Sequence, residues 1–375
     1  MKGENHLISW ITQNKRTTAA GIVPAIRALL GCAAVRVSFI EEEKLPAVSG
    51  DAIVLDGAAF ATLDALLAEL SVQLPERAVS AVFISGLGTF RINPTTPAKR
   101  QARLAGRICL VTGAAQGFGE GIARELAAAG GVLVIADLNE PAALQVADDL
   151  NREHGEGTAF SVRVDVGNEA SVQQMVETVV LSLGGIDLLI SNAGVLRAGG
   201  LEEMSLETFE FVTRINYTAF FLVSKYGSVP MKLQTRFAPD CTTDIIQINS
   251  KSGLEGSNRN FAYAGSKFGG IGLVQSFAKE LVADRIKVNA ICPGNYYEGP
   301  LWSDPEKGLF IQYLKAGKVP GAKSVEDVYN FYVDKVPMRR GYSPVDVTRA
   351  ILYCVEQTYE TGQAMPVTGG QNMLK

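Results

Sequence analysis

The chain has 375 residues, more than one hydrophobic core usually holds, so its length favours two domains or one large domain with an appendage. A net charge of −4 argues against a nucleic-acid or anionic-membrane partner, since both require a basic face. Five cysteines without a Cys-x-x-Cys pair and only two histidines argue against a disulfide framework and against a metal centre. We therefore expect a protein that acts on a small molecule and needs no metal.

The first 90 residues predict a small α/β module of unknown role. Pro24 and Arg27 interrupt the apolar stretch before Cys32, so this stretch does not predict an export signal, and we expect a cytoplasmic protein with reduced thiols. The polar, basic stretch 91–103 predicts a linker. The elements predicted within the module are helices at 7–15, 22–30 and 58–70 and strands at 35–40, 52–55 and 81–85.

From residue 104 to residue 375, apolar strand-like runs alternate with helix-like segments. Such alternation predicts a parallel sheet covered by helices on both faces, since parallel strands need long crossover connections. The predicted fold class is therefore α/β, a doubly wound parallel (Rossmann) sheet with the smaller N-terminal α/β module before it. The predicted strands are 108–112, 132–136, 158–164, 186–191, 244–249 and 286–291.

A glycine-rich turn follows the first of these strands and precedes a helix-like segment. Backbone N–H groups at a helix N-terminus can hold a pyrophosphate, and glycines allow its close approach. The residues that we expect to contact a dinucleotide here are Gly113, Gln116, Gly117, Phe118 and Gly119.

Asp137 ends the second predicted strand, eighteen residues after Gly119. A carboxylate at this place can accept hydrogen bonds from ribose hydroxyls and would repel a 2′-phosphate, which favours NAD over NADP. Gln116 and Leu138 supply no cation for such a phosphate. The alternative is that Asp137 merely caps the following helix, a position that aspartate often takes.

Tyr263 and Lys267 are spaced by one helical turn, and Ser250 follows the apolar run 244–249. A phenol with a pKa of about 10 becomes a base at neutral pH only when a nearby cation stabilises the phenolate. Lys267 can supply that cation, Tyr263 can exchange a proton with an alcohol, and the Ser250 hydroxyl can hydrogen-bond the substrate oxygen. The alternative is that Tyr263 and Lys267 form a solvated pair on a helix surface.

In their order along residues 104–375, these motifs resemble the short-chain dehydrogenase/reductase family, including its Gly-x-x-x-Gly-x-Gly spacing. The resemblance implies an NAD-dependent alcohol dehydrogenase that forms a homo-oligomer, a dimer or a tetramer. It also implies that Asn216 holds a water in a proton relay behind Lys267, although an asparagine there could equally mark a local kink. The further cofactor contacts that it implies are Asp165, Val166, Asn192, Ala193, Gly194, Tyr263, Lys267, Pro293, Gly294 and Asn295.

Four stretches resemble the sorbitol-6-phosphate dehydrogenase group of that family, namely 245–253, 267–273, 334–341 and 361–372. This resemblance implies interconversion of a polyol phosphate and a ketose phosphate, sorbitol 6-phosphate and fructose 6-phosphate. Lys251 and Arg259 are the residues that we expect to bind the phosphate. Tyr296 lies in a long segment, 293–335, that we expect to cover the substrate.

Two other functions are open. One is dehydrogenation of an unphosphorylated polyol or a sugar acid, since charged loop residues are often only solvated. The other is NAD sensing by a regulatory or assembly protein, which the intact set of Ser250, Tyr263 and Lys267 disfavours. The N-terminal residues 82–90 resemble the junction of aldolase/dehydrogenase fusions, although the histidines of a zinc aldolase are absent.

Overall fold

The computed structural model describes residues 14–42, 50–75, 78–94, 102–315, 317 and 319–373. The predicted helix at 7–15 lies almost entirely outside these residues, and so does more than half of the predicted linker. Within the described ranges, no helix is both long and apolar enough to cross a bilayer.

A four-stranded sheet lies in the N-terminal part of the chain. In order across the sheet, its strands are β1 (Val35–Ile40), β4 (Gly88–Pro94), β3 (Ala81–Ile84) and β2 (Ala52–Leu55). Strands β2 and β3 pair in parallel, whereas β4 pairs antiparallel with β1 and with β3. Strand β4 extends four residues into the segment predicted to be a linker, because its backbone pairs with β1 as far as Pro94.

All seven strands of the larger sheet run parallel, which confirms the predicted doubly wound α/β fold. In order across the sheet, they are β11 (Ala364–Val367), β10 (Ile286–Pro293), β9 (Thr243–Ile248), β8 (Leu188–Ser191), β5 (Ile108–Thr112), β6 (Val132–Asp137) and β7 (Ala159–Arg163). Six of them correspond to predicted strands, and β11 is an additional edge strand. The direction of strand order reverses between β5 and β8, where the loops diverge and leave a crevice at the carboxyl edge.

Helices of three groups surround the two sheets. The N-terminal part contains α1 (Lys15–Ala20), α2 (Val23–Leu29) and α3 (Leu63–Gln73). The larger sheet is covered by α4 (Gly117–Ala128), α5 (Glu140–His154), α6 (Glu169–Leu183), α7 (Leu206–Thr213), α8 (Ala219–Phe237), α9 (Phe261–Leu281) and α13 (Pro344–Glu356). Between β10 and α13 lie α10 (Pro300–Ser303), α11 (Leu309–Lys315) and α12 (Val325–Asp334).

The segment from residue 294 to residue 341, here called the lid, starts at the carboxyl end of β10 and has a small core of its own. Trp302 packs against Tyr297 and Phe310 with ring centroids 5.1 and 5.0 Å apart. The Tyr297 hydroxyl donates to the Tyr332 carbonyl oxygen at 2.8 Å, which ties the start of the lid to α12. The lid is therefore an ordered aromatic layer at the edge of the sheet where the crevice opens.

A buried ion pair joins the N-terminal part to the larger sheet. The Arg27 guanidinium of α2 donates to both carboxylate oxygens of Asp187 at 2.9 and 2.7 Å, and Arg27 is fully buried. Asp187 also accepts from the Ile108 N–H at 2.7 Å and from Gln234 Nε2 at 2.8 Å. Helix α2 packs on α8, β1 packs on α6, and one cluster of buried apolar residues includes members of both parts. The N-terminal part is thus packed into the larger fold.

Candidate active site

The loop from β5 to α4 is shaped for close approach of a ligand. Gly113 and Gly117 have φ angles of +65° and +59°, which favour glycine. A Cβ on Gly119 would lie 2.1 Å from the Gly113 carbonyl oxygen and 2.5 Å from Asn192 Nδ2. The N-cap residue Gln116 makes no side-chain bond to α4, whereas side chains cap α5, α6 and α7. The first N–H groups of α4 are therefore left to an anionic ligand such as a pyrophosphate.

Asp137 ends β6 beside this turn. Its Oδ2 accepts from the Ala115 N–H at 3.0 Å, and its Oδ1 accepts from the Asn139 N–H at 2.9 Å. The side-chain cap of α5 is Asn139, so Asp137 is not the N-cap of that helix. A carboxylate at the strand end, glycines in the turn and an uncapped helix together fit a nicotinamide dinucleotide.

Asn192, just beyond β8, ties the two strands that border the crevice. Its Nδ2 donates to the carbonyl oxygens of Thr112 and Gly113 at 2.9 and 3.1 Å. Thr112 Oγ1 accepts from the N–H groups of Asn192 and Ala193 at 3.0 and 3.1 Å. Asn192 and Ala193 thus hold the glycine turn in shape, and the sequence analysis did not single out their partner Thr112.

The same edge of the sheet carries the other predicted cofactor residues, after β7 and at the end of β10, namely Asp165, Val166, Pro293, Gly294 and Asn295. Asp165 Oδ1 accepts from the Gly167 N–H at 2.9 Å and so closes a tight turn next to Asp137. The Gly294 N–H donates to the Val367 carbonyl oxygen at 3.0 Å. Edge strand β11 therefore positions the segment in which the lid begins.

Ser250, Tyr263 and Lys267 meet at the carboxyl end of β9. The Tyr263 phenol is hydrogen-bonded to Ser250, and Lys267 Nζ lies 5.6 Å from the centre of the Tyr263 ring. Lys267 Nζ donates to the Ile248 carbonyl oxygen at 2.9 Å. Ser250 and Lys267 are buried and Tyr263 is half-buried, so Tyr263 and Lys267 are not a solvated surface pair.

Burial governs the protonation of this group. It raises the pKa of the Tyr263 phenol, an effect that the hydrogen bond with Ser250 partly offsets. It lowers the pKa of Lys267 to about 8, so the side-chain amine is still mostly protonated at neutral pH. The buried Cys292 thiol lies against the Ser250 N–H, and burial raises its pKa to about 12. This neutral neighbour, the last residue but one of β10, was not indicated by the sequence.

Asn216 lies in a π-helical turn, Arg214–Thr218, between α7 and α8. Its Oδ1 accepts from the Val195 N–H and its Nδ2 donates to the Val195 carbonyl oxygen, both at 2.8 Å. A Cβ on Gly194 would lie 3.2 Å from Asn216 Oδ1 and 3.9 Å from Lys267 Nζ, so both side chains border Gly194. π-Helical turns are frequent at functional sites, and this one brings the asparagine next to the lysine.

Three aromatic rings cover the glycine turn. Tyr296, from the lid, packs on Phe118 with ring centroids 5.6 Å apart. Tyr342, just before α13, contacts Phe118 edge-on at 4.9 Å and stacks on Tyr296 at 5.6 Å. Burial and the neighbouring Tyr263 raise the pKa of Tyr342 well above its ordinary value. Tyr342 was not among the predicted site residues, since an isolated tyrosine before a helix carries no local signal.

The two cations predicted to bind phosphate have different surroundings. Arg259 Nη2 donates to the Glu203 carboxylate at 2.6 Å, in an exposed ion pair. Lys251, directly after Ser250, forms no ion pair with any residue that the structure describes. Burial lowers the pKa of Lys251, the Glu255 carboxylate opposes this, and the charge of Lys335 from the lid lowers it further. Lys335 is thus a second cation near Lys251 that the sequence analysis did not identify.

Known proteins are similar to this chain in sequence and in fold. A sequence model of the short chain dehydrogenase family matches residues 107–302. Sorbitol-6-phosphate 2-dehydrogenase of Escherichia coli is 34% identical over 271 residues, which is 72% of this chain and 99% of that protein. The 3-oxoacyl-[acyl-carrier-protein] reductase FabG of Aquifex aeolicus is 29% identical over 272 residues, again 72% of this chain and 99% of that protein.

Among solved structures, sorbitol-6-phosphate 2-dehydrogenase SrlD of Erwinia amylovora superposes with a TM-score of 0.65 at 36% identity. The superposition covers 71% of this chain and all of that chain. The four-stranded sheet, residues 35–94, lies outside the family match. The chain belongs to the short-chain dehydrogenase family and is an oxidoreductase that acts on alcohol groups.

Proposed function

We propose that this enzyme uses NAD to interconvert a polyol phosphate and a ketose phosphate, with sorbitol 6-phosphate and fructose 6-phosphate as the pair. The observation that carries the proposal is Lys251, a largely buried cation directly after Ser250 that forms no ion pair with the described residues. Relatives named sorbitol-6-phosphate 2-dehydrogenase match this chain at 34% and 36% identity and support the same substrate.

The side chains of the site supply the proton chemistry of this reaction. The glycine turn and Asp137 would hold NAD, which would supply the hydride acceptor for the alcohol carbon. Tyr263 takes the alcohol proton during oxidation and returns it during reduction. The Lys267 ammonium, held by the Ile248 carbonyl oxygen, stabilises the phenolate form of Tyr263. The Ser250 hydroxyl positions the substrate oxygen, and Asn216 holds the water through which Lys267 exchanges protons with solvent.

Asp137 supports NAD as the preferred cofactor. Each carboxylate oxygen accepts one N–H bond, from Ala115 and from Asn139, and two lone pairs per oxygen leave it capacity for ribose hydroxyls. The following side chain, Leu138, is exposed and offers no cation to a 2′-phosphate. Members of this family typically use NAD or NADP, and the negative charge favours the first.

Lys251 and Lys335 support a phosphorylated substrate. The charge of Lys335 lowers the pKa of Lys251, and a dianion bound beside Lys251 would favour its charged form. Lys335 Nζ lies over the Phe331 and Tyr332 rings at 4.1 and 5.2 Å, which keeps this lid cation in place. Arg259 is a weaker choice than the sequence predicts, because Glu203 already compensates its charge.

One observation favours the alternative substrate, an unphosphorylated polyol or a sugar acid. The Glu255 carboxylate stands near Lys251 and raises its pKa, so part of the lysine charge is already balanced. Glu255 is itself held by Asn372, whose Nδ2 donates to it at 2.7 Å. A neutral polyol could then bind the lysine and the glutamate through its hydroxyls.

The test is a spectrophotometric assay at 340 nm with NAD and with NADP, against sorbitol 6-phosphate, sorbitol and further polyols. We expect NADH from NAD and sorbitol 6-phosphate, with kcat/KM at least 100-fold above that for sorbitol. A preference for the unphosphorylated polyol would select the alternative. NADH binding without turnover of any polyol would contradict both enzyme assignments and favour a nucleotide-sensing protein.

Lys251→Met and Lys335→Met test the phosphate contacts. Each should raise KM for sorbitol 6-phosphate about 10-fold or more and leave kcat/KM for sorbitol unchanged, since a charged hydrogen bond contributes about 1.5–3 kcal/mol. Arg259→Met should have a smaller effect because of Glu203. Lys279→Met, on an exposed part of α9, is the matched control. An equal KM change for both substrates would overturn the phosphate role.

We also propose that the enzyme is a cytoplasmic homo-oligomer, a dimer or a tetramer. Helices α7, α8 and α9 expose large apolar side chains that are 41% to 70% accessible, namely Leu206, Phe209, Phe221, Val229 and Phe268. Burying such a surface against a second copy removes apolar area from water. Light scattering should give a mass of two or four chains, and Phe268→Glu should lower it. A wild-type monomer would contradict the proposal.

A further inference from the structure

Two of the five cysteines meet where the N-terminal part joins the larger fold. Cys32 lies in the turn between α2 and β1, and Cys241 lies in the loop between α8 and β9. The Cys32 thiol is hydrogen-bonded to Cys241, and the Arg27 guanidinium is close to both. The other three thiols, Cys109, Cys292 and Cys354, are buried within the larger fold.

The neighbours of each cysteine hold the two loops against each other. Gly106 packs so closely on the Cys32 turn that a Cβ there would lie 2.1 Å from the Ala33 carbonyl oxygen. The Arg27 Nη2 donates to the Gly106 carbonyl oxygen at 3.3 Å. On the other side, Arg107 Nη1 lies 3.5 Å from the Thr242 carbonyl oxygen. Gly106 therefore contacts Ala33, which follows Cys32, and Arg107 contacts Thr242, which follows Cys241.

The two thiols differ in exposure and in acidity. Cys241 is half-buried, and the hydrogen bond from Cys32 lowers its pKa, which favours the thiolate form. Cys32 is only 7% exposed, and its pKa is raised by that hydrogen bond and by burial. An accessible nucleophile beside a buried second thiol is the arrangement in which a reversible disulfide forms.

We propose that Cys32 and Cys241 form a reversible disulfide that links the N-terminal part covalently to the dehydrogenase fold. The Cys241 thiolate attacks one sulfur of a low-molecular-weight disulfide, which releases one thiolate and leaves a mixed disulfide on Cys241. The Cys32 thiol loses its proton to water and attacks the Cys241 sulfur, which expels the second thiolate. The two cysteines are oxidised by two electrons, and the external disulfide is reduced to two thiols.

The bridge lies away from the catalytic groups. Cys241 precedes β9, whereas Ser250 follows it, and a six-residue strand separates the two ends by about 20 Å. The disulfide would close a long loop of the unfolded chain, which raises stability. We therefore expect the oxidised enzyme to unfold at a higher temperature than the reduced enzyme and to keep its kcat within about twofold.

The test is to incubate the native full-length enzyme with glutathione disulfide, alkylate it, and map tryptic peptides without reduction. We expect peptides 28–36 and 237–251 to be cross-linked, and titratable thiols to fall from five to three. Cys32→Ser should retain one glutathione on Cys241, because the second thiol is absent. Cys354→Ser, a buried cysteine elsewhere, should still form the bridge.

Three results would each overturn the proposal. One is a wild-type enzyme that keeps five titratable thiols after incubation. Another is a stable glutathione adduct on wild-type Cys241 without the cross-link. The third is a Cys32→Ser enzyme that loses as many titratable thiols as the wild type, since the oxidised pair would then lie elsewhere.

Discussion

The Asp137 carboxylate closes the glycine turn through Ala115 and is the charge that we expect to select the cofactor. Asp137→Ala should lower kcat/KM with NAD about 10- to 100-fold, since hydrogen bonds to a charged group contribute about 1.5–3 kcal/mol. The same variant should retain or raise kcat/KM with NADP, because the repulsion of a 2′-phosphate is gone. Initial rates with both cofactors measure the ratio.

A matched control separates the charge from the shape of the turn. Asn139→Ala removes the side-chain cap of α5 and leaves the Asp137 carboxylate in place. Its ratio of kcat/KM values for NAD and NADP should equal that of the wild type. A similar ratio change in both variants would mean that a loosened turn, and not the charge, sets the preference.

Lys267 should control the pH dependence of alcohol oxidation. The base form of Tyr263 is needed for oxidation, so kcat/KM falls as pH falls below the pKa of that phenol. We expect the Lys267 ammonium, 5.6 Å from the ring centre, to lower that pKa. In Lys267→Met, the fall of kcat/KM at low pH should therefore begin at a pH higher by about 1 unit or more. The measurement is kcat/KM between pH 6 and 10. Lys279→Met, on the same helix, should leave the pH dependence of kcat/KM unchanged.

Residues that reach the site from the lid region could not be predicted from local patterns. Tyr263, Lys267 and Ser250 were predictable because their chemistry depends on spacing within one helix and one strand end. Lys335 ends the segment 293–335 that was predicted to cover the substrate, and Tyr342 lies beyond it. Only the packing of the lid brings them to Lys251 and Tyr263. The ion pair that Arg259 forms with Glu203 was equally unpredictable, since the two residues are 56 positions apart in the sequence.

Among the elements, the glycine turn leaves little room for change. A methyl group on Gly119 would meet the Gly113 carbonyl oxygen at 2.1 Å, and Gly113 is itself held by Asn192. Gly119→Ala should weaken NADH binding about 10- to 100-fold, since overpacking typically costs 1–3 kcal/mol. Fluorescence titration with NADH measures it. Gly272→Ala, in α9 with no atom within 4 Å of the added Cβ, should bind NADH as the wild type does.

Two strands show where element prediction from sequence stops. Strand β11 contains Pro366, which cannot donate an N–H to a neighbour, so the sequence here does not predict a strand. It is tolerated because β11 lies at the sheet edge and pairs only with β10. Strand β4 ends in a polar stretch, Arg91–Pro94, and forms a strand there only through its pairing with β1. Both depend on partners distant in sequence.

For the molecule as a whole, the Arg27–Asp187 pair is a buried tie between the N-terminal part and the larger sheet. Arg27→Met should lower the free energy of unfolding by about 3–5 kcal/mol, because it leaves a buried carboxylate without its cation. Arg16→Met, which removes an exposed ion pair with Glu177, should cost less than about 1 kcal/mol. Urea denaturation measures both. Equal decreases in the free energy of unfolding of the two variants would show that the hydrogen bonds from Ile108 and Gln234 alone are sufficient for Asp187.

The apolar cluster shared by the two sheets also determines how the protein melts. Residues such as Val37 and Phe90 of the small sheet belong to the same buried cluster as Val180 of α6 and Leu189 of the large sheet. Neither sheet can be exposed to water without uncovering the other, so the pair should behave as one cooperative unit. Differential scanning calorimetry should then show a single endotherm at one temperature, despite a domain organisation that suggests two. Two resolved endotherms would mean that the N-terminal part unfolds independently and has a separate hydrophobic core.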